Sequence, residues 1–204
     1  MTRYNDASFP PHGEWDRRLT EVNCPTLKPV ELLHENMWFT VRKRGNYYTV
    51  EYRQPQVIVL PIVEQRAVVM VRVKRPVLND ITLELPAGGS DGSEAPAHAA
   101  AREFAEETGI AVDSSRLTAM PPLAVSPNRM PKLVYVFQVD LSQKEFDRRG
   151  PHDDEIEKVE LVPFADTLRM IATGKIYVAV PVAIICTYLL SRPQFQPISH
   201  AMDT

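Results

Sequence analysis

The stretch at residues 88–110, GGSDGSEAPAHAAAREFAEETGI, decides how the rest of this chain is read. Its second half predicts a helix from Pro96 to Thr108. Pro96 suits the first helical position, alanines fill the body, and Gly109 supplies the stop. Ala95 is a poor N-cap, and nothing in the local sequence explains it. The charges are stranger. Glu103, Glu106 and Glu107 share one helical face, repel one another, and crowd toward the negative end of the helix dipole. Arg102 reaches Glu106 at the fourth position, but one arginine does not offset three carboxylates. Such a face is either a solvated acidic stripe or a site for a hard divalent cation, which takes oxygen ligands and leaves places for substrate phosphates. The carboxylates alone favour the stripe. No Cys/His cluster is present that would suit zinc.

Outward from this helix, the flanks read as strands. YYTVEY, VIVLPIV, AVVMVRV and ITLEL, between residues 47 and 85, are short β-branched runs separated by turn residues. ITLEL runs into the glycine-rich loop PAGGSDGS. After the helix, LTAMPPLAV and LVYVFQVD read as further strands, followed by the acidic loop GPHDDEIE and a strand KVELV. Two helices follow, near 164–173 and 178–191. Strands, helix, strands and helices in this order imply an α/β fold, a mixed sheet covered by helices on both faces.

Residues 1–46, broken by Pro10, Pro11, Pro25 and Pro29, read as an arm or small subdomain; residues 47–192 form the main domain and 193–204 a tail. A net charge of −3 provides no field for nucleic acid, and the run Arg42, Lys43, Arg44 is too short to change that, fitting a surface loop or sheet edge instead. Two distant cysteines, Cys24 and Cys186, form neither a metal motif nor a disulfide framework, which fits a reducing cytoplasm. The polar N-terminus is no signal peptide, and the apolar stretch 176–190 is interrupted by Pro181 and falls short of a membrane span.

Spacing resolves the helix. With Gly88 and Glu94 at fixed distances before REFAEETGI, residues 88–110 resemble the signature of the Nudix hydrolases at every fixed position. The resemblance implies a Nudix-type α/β/α sandwich and cleavage of a nucleoside diphosphate linked to another group, with Mg²⁺ or Mn²⁺ as cofactor. It assigns Glu103, Glu107 and the Ala87 carbonyl to the metal, with Glu106 close by. Arg102 matches the arginine that orients the carboxylates, and Glu94 a position that supports loop and helix.

Three features resemble the ADP-ribose pyrophosphatase branch: LELPAGG at 83–89, VRVKRP at 71–76, and Pro127 beyond the signature. That resemblance implies ADP-ribose or a related ADP-sugar as substrate, giving AMP and a sugar 5-phosphate, and a homodimer. The alternatives are another nucleotide substrate, such as a GDP-sugar, or a module that senses ADP-ribose without cleaving it; the intact carboxylates rank the last reading lowest. The branch takes its catalytic base from an acidic loop, here HDDEIE, where residue type favours Glu155 and alignment on Ile156 points to Asp154. Arg75 is the candidate for a phosphate or ribose contact against a surface ion pair, Glu84 could instead hydrogen-bond the substrate, and Gly88 and Pro127 join them as candidate substrate contacts. For stacking on adenine, Trp38, Phe39 and Tyr47 stay open beside a core role.

Overall fold

The computed structural model describes residues 17–192 apart from 23 and 92, so the first part of the arm and the tail 193–204 lie outside it. A short helix α1 (Arg17–Thr20) leads into strands β1 (Val30–Glu35), β2 (Phe39–Arg44) and β3 (Tyr47–Tyr52). These three pair antiparallel in that order as a separate small sheet. The run Arg42, Lys43, Arg44 therefore lies in the middle strand, not in a surface loop or at a sheet edge. The reason is Glu51, only 7% exposed on β3. The register Arg42↔Thr49 and Arg44↔Tyr47 brings both arginines to its side of the sheet. Arg44 donates to Glu51 from Nε at 2.7 Å and from Nη2 at 3.2 Å, and the Thr49 hydroxyl adds a bond at 2.7 Å. Burial would raise the Glu51 carboxyl, but these bonds outweigh it and hold its pKa below the ordinary value. The hairpin joining β2 and β3 turns through Gly45 at φ +57, so the expected division at residue 46 falls inside this turn.

The main sheet is built on β4 (Gln56–Val63) and β5 (Ala67–Arg75), followed by β6 (Asp80–Glu84) and the very short β7 (Ala87–Gly89). After helix α2 (Pro96–Thr108) come β8 (Thr118–Leu123), β9 (Val134–Leu141), a one-turn α3 (Gln143–Asp147) and β10 (Ile156–Pro163). Helices α4 (Phe164–Ala172) and α5 (Ala179–Leu190) close the described chain. The strand order is β10-β5-β4-β9-β8, and β4 runs parallel to β9 while the other pairs are antiparallel. The expected mixed sheet with helices on both faces is what forms.

Alternation along β4 explains the two layers. Val57, Val59 and Val63 belong to a core with Ala99, Ala100 and Phe104 of α2. Ile58, Leu60 and Ile62 belong to a second core with Ile184, Ile185 and Leu189 of α5. A strand covered on both faces has no polar side to show, so VIVLPIV is apolar without a break. In α5 the buried positions Pro181, Ile184, Ile185, Tyr188 and Leu189 follow helical spacing, and Pro181 sits in the first turn, where its missing N–H costs nothing. Among the described residues no helix is long and apolar enough to cross a membrane.

Helix α2 begins and ends as its sequence predicts. Ala95 makes no side-chain cap; the helix starts on Pro96, and the Ala95 carbonyl accepts from the N–H groups of His98 and Ala99. Gly109 stops it at φ +70, donating to the Ala105 carbonyl. A side chain there would meet a second obstacle, because its Cβ would lie 2.2 Å from the Gly150 carbonyl oxygen.

Candidate active site

The site opens where two paired strands part. β4 and β5 pair only at Ile62↔Val68 and Val63↔Ala67, next to their turn. Beyond that, β5 takes β6 as its neighbour and β4 takes β7, so Leu85 and Pro86 cross the wedge between them. This carries Ala87 and Gly88 to the acidic face of α2.

Loop and helix are joined by the residues singled out in the sequence. The Ala87 N–H donates to Glu107 Oε2 at 3.0 Å. The Glu103 carboxylate lies against the bare α-carbon of Gly88, where a Cβ would come within 2.1 Å of it. Any other residue there would push that carboxylate aside. Arg102 gathers the rest: its guanidinium donates to Glu103 Oε1 at 2.9 Å, Glu106 Oε2 at 3.1 Å, Glu94 Oε2 at 3.1 Å and the Gly89 carbonyl at 2.9 Å. Glu94 in turn accepts from the Asp91 N–H. Arg102 thus ties Glu94, Glu103 and Glu106 to one guanidinium, and Glu94 bridges the loop and the helix.

The electrostatics still favour a missing positive charge. Burial pushes the Glu107 carboxyl up to about 8, helped by the negative charges of Glu103 and Glu84 and opposed by the Ala87 N–H and Arg75. Burial also raises Glu103, against the pull of Arg102. Among the described residues no three His, Cys, Asp or Glu side chains converge as a ready metal cage. In its place Glu103 and Glu106 lean on Arg102 while Glu107 takes a backbone N–H. The donors at this corner are all oxygen, and two are half-buried carboxylates, Glu103 paired with Arg102 and Glu107 held by a backbone N–H. That set suits a hard divalent cation that keeps places for water and phosphate oxygens.

A cleft of about 460 Å³ leads away from Ala87 and Gly88. Arg75 and Glu84 line it, along with Tyr52, Gln54, Gln56 and Lys132 from the opposite side. Arg75 grips Glu84 with Nε at 2.7 Å and Nη2 at 2.9 Å, and the Thr82 hydroxyl donates to the same carboxylate at 2.5 Å. Glu84 is 8% exposed; burial would raise its pKa, yet Arg75 and Thr82 hold it below the ordinary value. Its oxygens are occupied, so it acts on Arg75 more directly than on a ligand. Arg75 is both ion-paired and placed in the cleft wall.

The acidic loop is brought to the end of α2 by its backbone. Gly150 N–H donates to the Gly109 carbonyl at 2.8 Å and Asp153 N–H to the Glu106 carbonyl at 3.0 Å. Asp154 and Glu155, both exposed, line a second recess of about 520 Å³ with Lys74, Arg75, Pro76, Val77 and Leu78. Arg75 and Leu78 line both spaces. Glu155 and Asp154 thus stand together, and geometry does not separate them. The stacking candidates fare differently. Trp38 is 66% exposed and Tyr47 48%, Phe39 packs by the His34 ring, and none of the three lines the cleft; Tyr52 does. Pro127 lies exposed outside the cleft wall, although Val125 and Met130 on either side of it belong to that wall. Tyr52, Gln54, Gln56 and Lys132 carry no motif or spacing that would have marked them in the sequence.

The family model for the NUDIX domain matches residues 52–179. The ADP-ribose pyrophosphatase of Bacillus subtilis (strain 168) is 29% identical over 121 residues, 59% of this chain and 64% of that protein. The GDP-mannose pyrophosphatase of Yersinia pestis (strain Pestoides F) is 40% identical over 96 residues, 46% of each chain. The match to these two relatives spans less than two thirds of their own length. The GDP-mannose pyrophosphatase of Yersinia enterocolitica is 34% identical over 139 residues, 67% of this chain and 69% of that protein. A solved structure described as an ADP compounds hydrolase superposes with a TM-score of 0.60 at 19% identity, over 81% of this chain and 94% of that one, and so shares the fold.

Proposed function

This chain belongs to the NUDIX family, and from that premise we propose that it hydrolyses the pyrophosphate bond of a nucleoside diphosphate sugar, releasing a nucleoside monophosphate and a sugar phosphate. ADP-ribose, cleaved to AMP and a sugar 5-phosphate, is the reading drawn from the sequence, and a relative named for it supports it. A GDP-sugar is the second reading, supported by the relatives named GDP-mannose pyrophosphatase. One observation carries the proposal: Glu103 and Glu107 are half-buried beside Gly88 and Ala87 where the cleft begins, and burial raises the pKa of both.

Glu103, Glu107 and the Ala87 carbonyl would hold Mg²⁺ or Mn²⁺, with Glu106 close by. When bound, such a cation neutralises the pyrophosphate, polarises a phosphorus centre and lowers the pKa of the attacking water. The remaining work falls to the chain. Arg102 keeps the carboxylates from swinging apart. Arg75, fixed by Glu84, offers its guanidinium to a phosphate oxygen between the two recesses. Glu155, or Asp154 in second place, accepts the proton of the attacking water. Gly88 keeps the loop close enough for phosphate to approach, and Pro127 shapes the 124–133 loop that borders the cleft. We further propose a homodimer that covers Leu32, Leu33, Met37 and Trp38, exposed along the β1–β2 hairpin, and a cytoplasmic location, which the free Cys24 and Cys186 suit.

The test is a panel of nucleotide sugars with Mg²⁺, following monophosphate release, for the wild-type chain and for Glu155→Gln and Asp154→Asn. Turnover of at least one nucleotide sugar is expected, with one dominant loss among the two variants. A panel without turnover overturns the hydrolase reading; two mild losses move the base elsewhere.

A further inference from the structure

The start of β4 lies between the signature and a cation that the mechanism leaves unused. Val57 pairs with Gly88 on one side and with Tyr135 on the other, and Lys132 lies three residues before Tyr135. Two inter-strand spacings, on the order of 10 Å, therefore separate the glycine loop from the strand that follows Lys132. Both sides line the same cleft. Lys132 is half-buried, and burial lowers its pKa against the opposing charge of Glu51. Its one hydrogen bond among the described residues donates to the Tyr52 carbonyl at 3.2 Å. An ammonium has three N–H donors, so two are left for a ligand.

The surroundings suit a flat, apolar ring with an acceptor edge. Val50, Tyr52, Pro55, Val125, Met130 and Pro131 form this part of the wall. The Glu51 carboxylate nearby is engaged by Arg44 and Thr49 and is not available to a ligand's N–H groups. The second recess, across Arg75, holds the carboxylates of Asp154 and Glu155 and no aromatic ring. With the pyrophosphate at Arg75, a purine belongs on the Tyr52 side, and sugar hydroxyls, which donate to carboxylates, on the other. The two purines differ where Lys132 would meet them. Guanine presents two adjacent acceptors, O6 and N7; adenine replaces one with the N6 amino donor, which an ammonium repels.

Resting on the reading of this cleft as a nucleotide-sugar site, we propose that Lys132 selects the nucleobase, donating to O6 and N7 of guanine so that guanine nucleotides are held in preference to adenine ones. Lys132 is then a specificity-determining residue. Losing a charged donor to two acceptors removes roughly 10- to 100-fold in affinity.

Calorimetric titration of the full chain with GMP and with AMP, in Mg²⁺, tests this without relying on turnover. The wild-type chain should bind GMP about tenfold or more tightly than AMP. Lys132→Met, which keeps the apolar stem, should erase that ratio mainly by weakening GMP, and Lys132→Arg should restore it. Tighter binding of AMP by the wild type, or equal weakening of both nucleotides in Lys132→Met, overturns the assignment; the second result would mark Lys132 as a phosphate contact. Hydrolysis of GDP-mannose and ADP-ribose is measured on the same samples. A GMP preference without any hydrolysis supports Lys132 while overturning the hydrolase reading alone.

Discussion

Helices α2 and α5 cover opposite faces of one sheet and differ in what they give up to do so. Helix α5 buries Pro181, Ile184, Ile185, Tyr188 and Leu189 and carries no acidic or basic residue in its end turns. Helix α2 buries Ala99, Ala100, Phe104 and Thr108, yet its other side holds Glu103, Glu106 and Glu107 at the end the helix dipole disfavours. Neither helix has a capping side chain or a basic residue in its last turn, so the difference lies in these carboxylates. Apart from its uncapped start, one helix is consistent from pattern to packing. The other violates local rules only where it meets the glycine loop, which is where a site is expected to conflict with stability.

The largest effect should come from Glu107→Gln. Turnover on whichever nucleotide sugar is cleaved should fall at least about 100-fold, the scale of removing one electrostatic contributor to a transition state. The circular dichroism of the variant should match the wild type. Near-wild-type rates would sink the assignment of Glu107 and make the acidic face of α2 as inert as α5.

A smaller effect should appear in stability against pH, measured without added metal. Glu107 titrates near its ordinary 4.5 when unfolded and at about 8 when folded. Between those values the folded chain keeps a proton that the unfolded chain has released, so stability falls as pH rises from 4.5 to about 8 and then levels off. Glu107→Gln lacks this slope. Its melting temperature should therefore exceed the wild type's by a margin that grows across the window, and added Mg²⁺ should narrow the margin by stabilising only the wild type. Parallel profiles with and without metal would contradict a buried carboxylate awaiting a cation.

The smallest effect concerns the other end of the helix. Ala95 holds extended backbone angles, φ −64 and ψ 139, which suit a capping residue. Ala95→Ser should stabilise the chain by about 1 kcal/mol in urea unfolding, with turnover unchanged. A loss of turnover would mean that α2 needs its loose start, and the contrast with α5 would extend along the whole helix.

The same contrast governs what could be read in advance. The glycine loop, α2 and the apolar strands β4, β5 and β9 were legible because strong local patterns coincide with their tertiary places. Strands β1 and β2 were not, since Pro25 and Pro29 interrupt the approach and Leu32, Leu33 and Lys43 show no alternation that a two-sided, exposed sheet would require. Strand β7 is Ala-Gly-Gly, with no strand propensity; it pairs with β4 because β5 has turned away. The site divides along the same line. Arg102, Glu103 and Glu107 follow from spacing on one helix, whereas the fork of Arg75 on Glu84 and the placement of Lys132 depend on strands that meet only in the folded chain.

The approach of Gly109 to Gly150 carries a consequence for altering this protein. The acidic loop is bonded at Gly150 and Asp153 to the end of α2, while Asp154 and Glu155 extend beyond those anchors. The two glycines act as a welded joint, and Asp154 and Glu155 form a two-residue bridge from it to β10, where the Lys74 N–H donates to the Glu155 carbonyl and Ile156 pairs with Val73. Changing the length of that bridge would disturb the pairing of β10 with β5, whereas exchanging its two side chains would leave both anchors in place. Side chains added at Gly109 would instead meet the Gly150 carbonyl and shift loop and helix together, so the carboxylates are best altered at 154 and 155 themselves and not at the glycines.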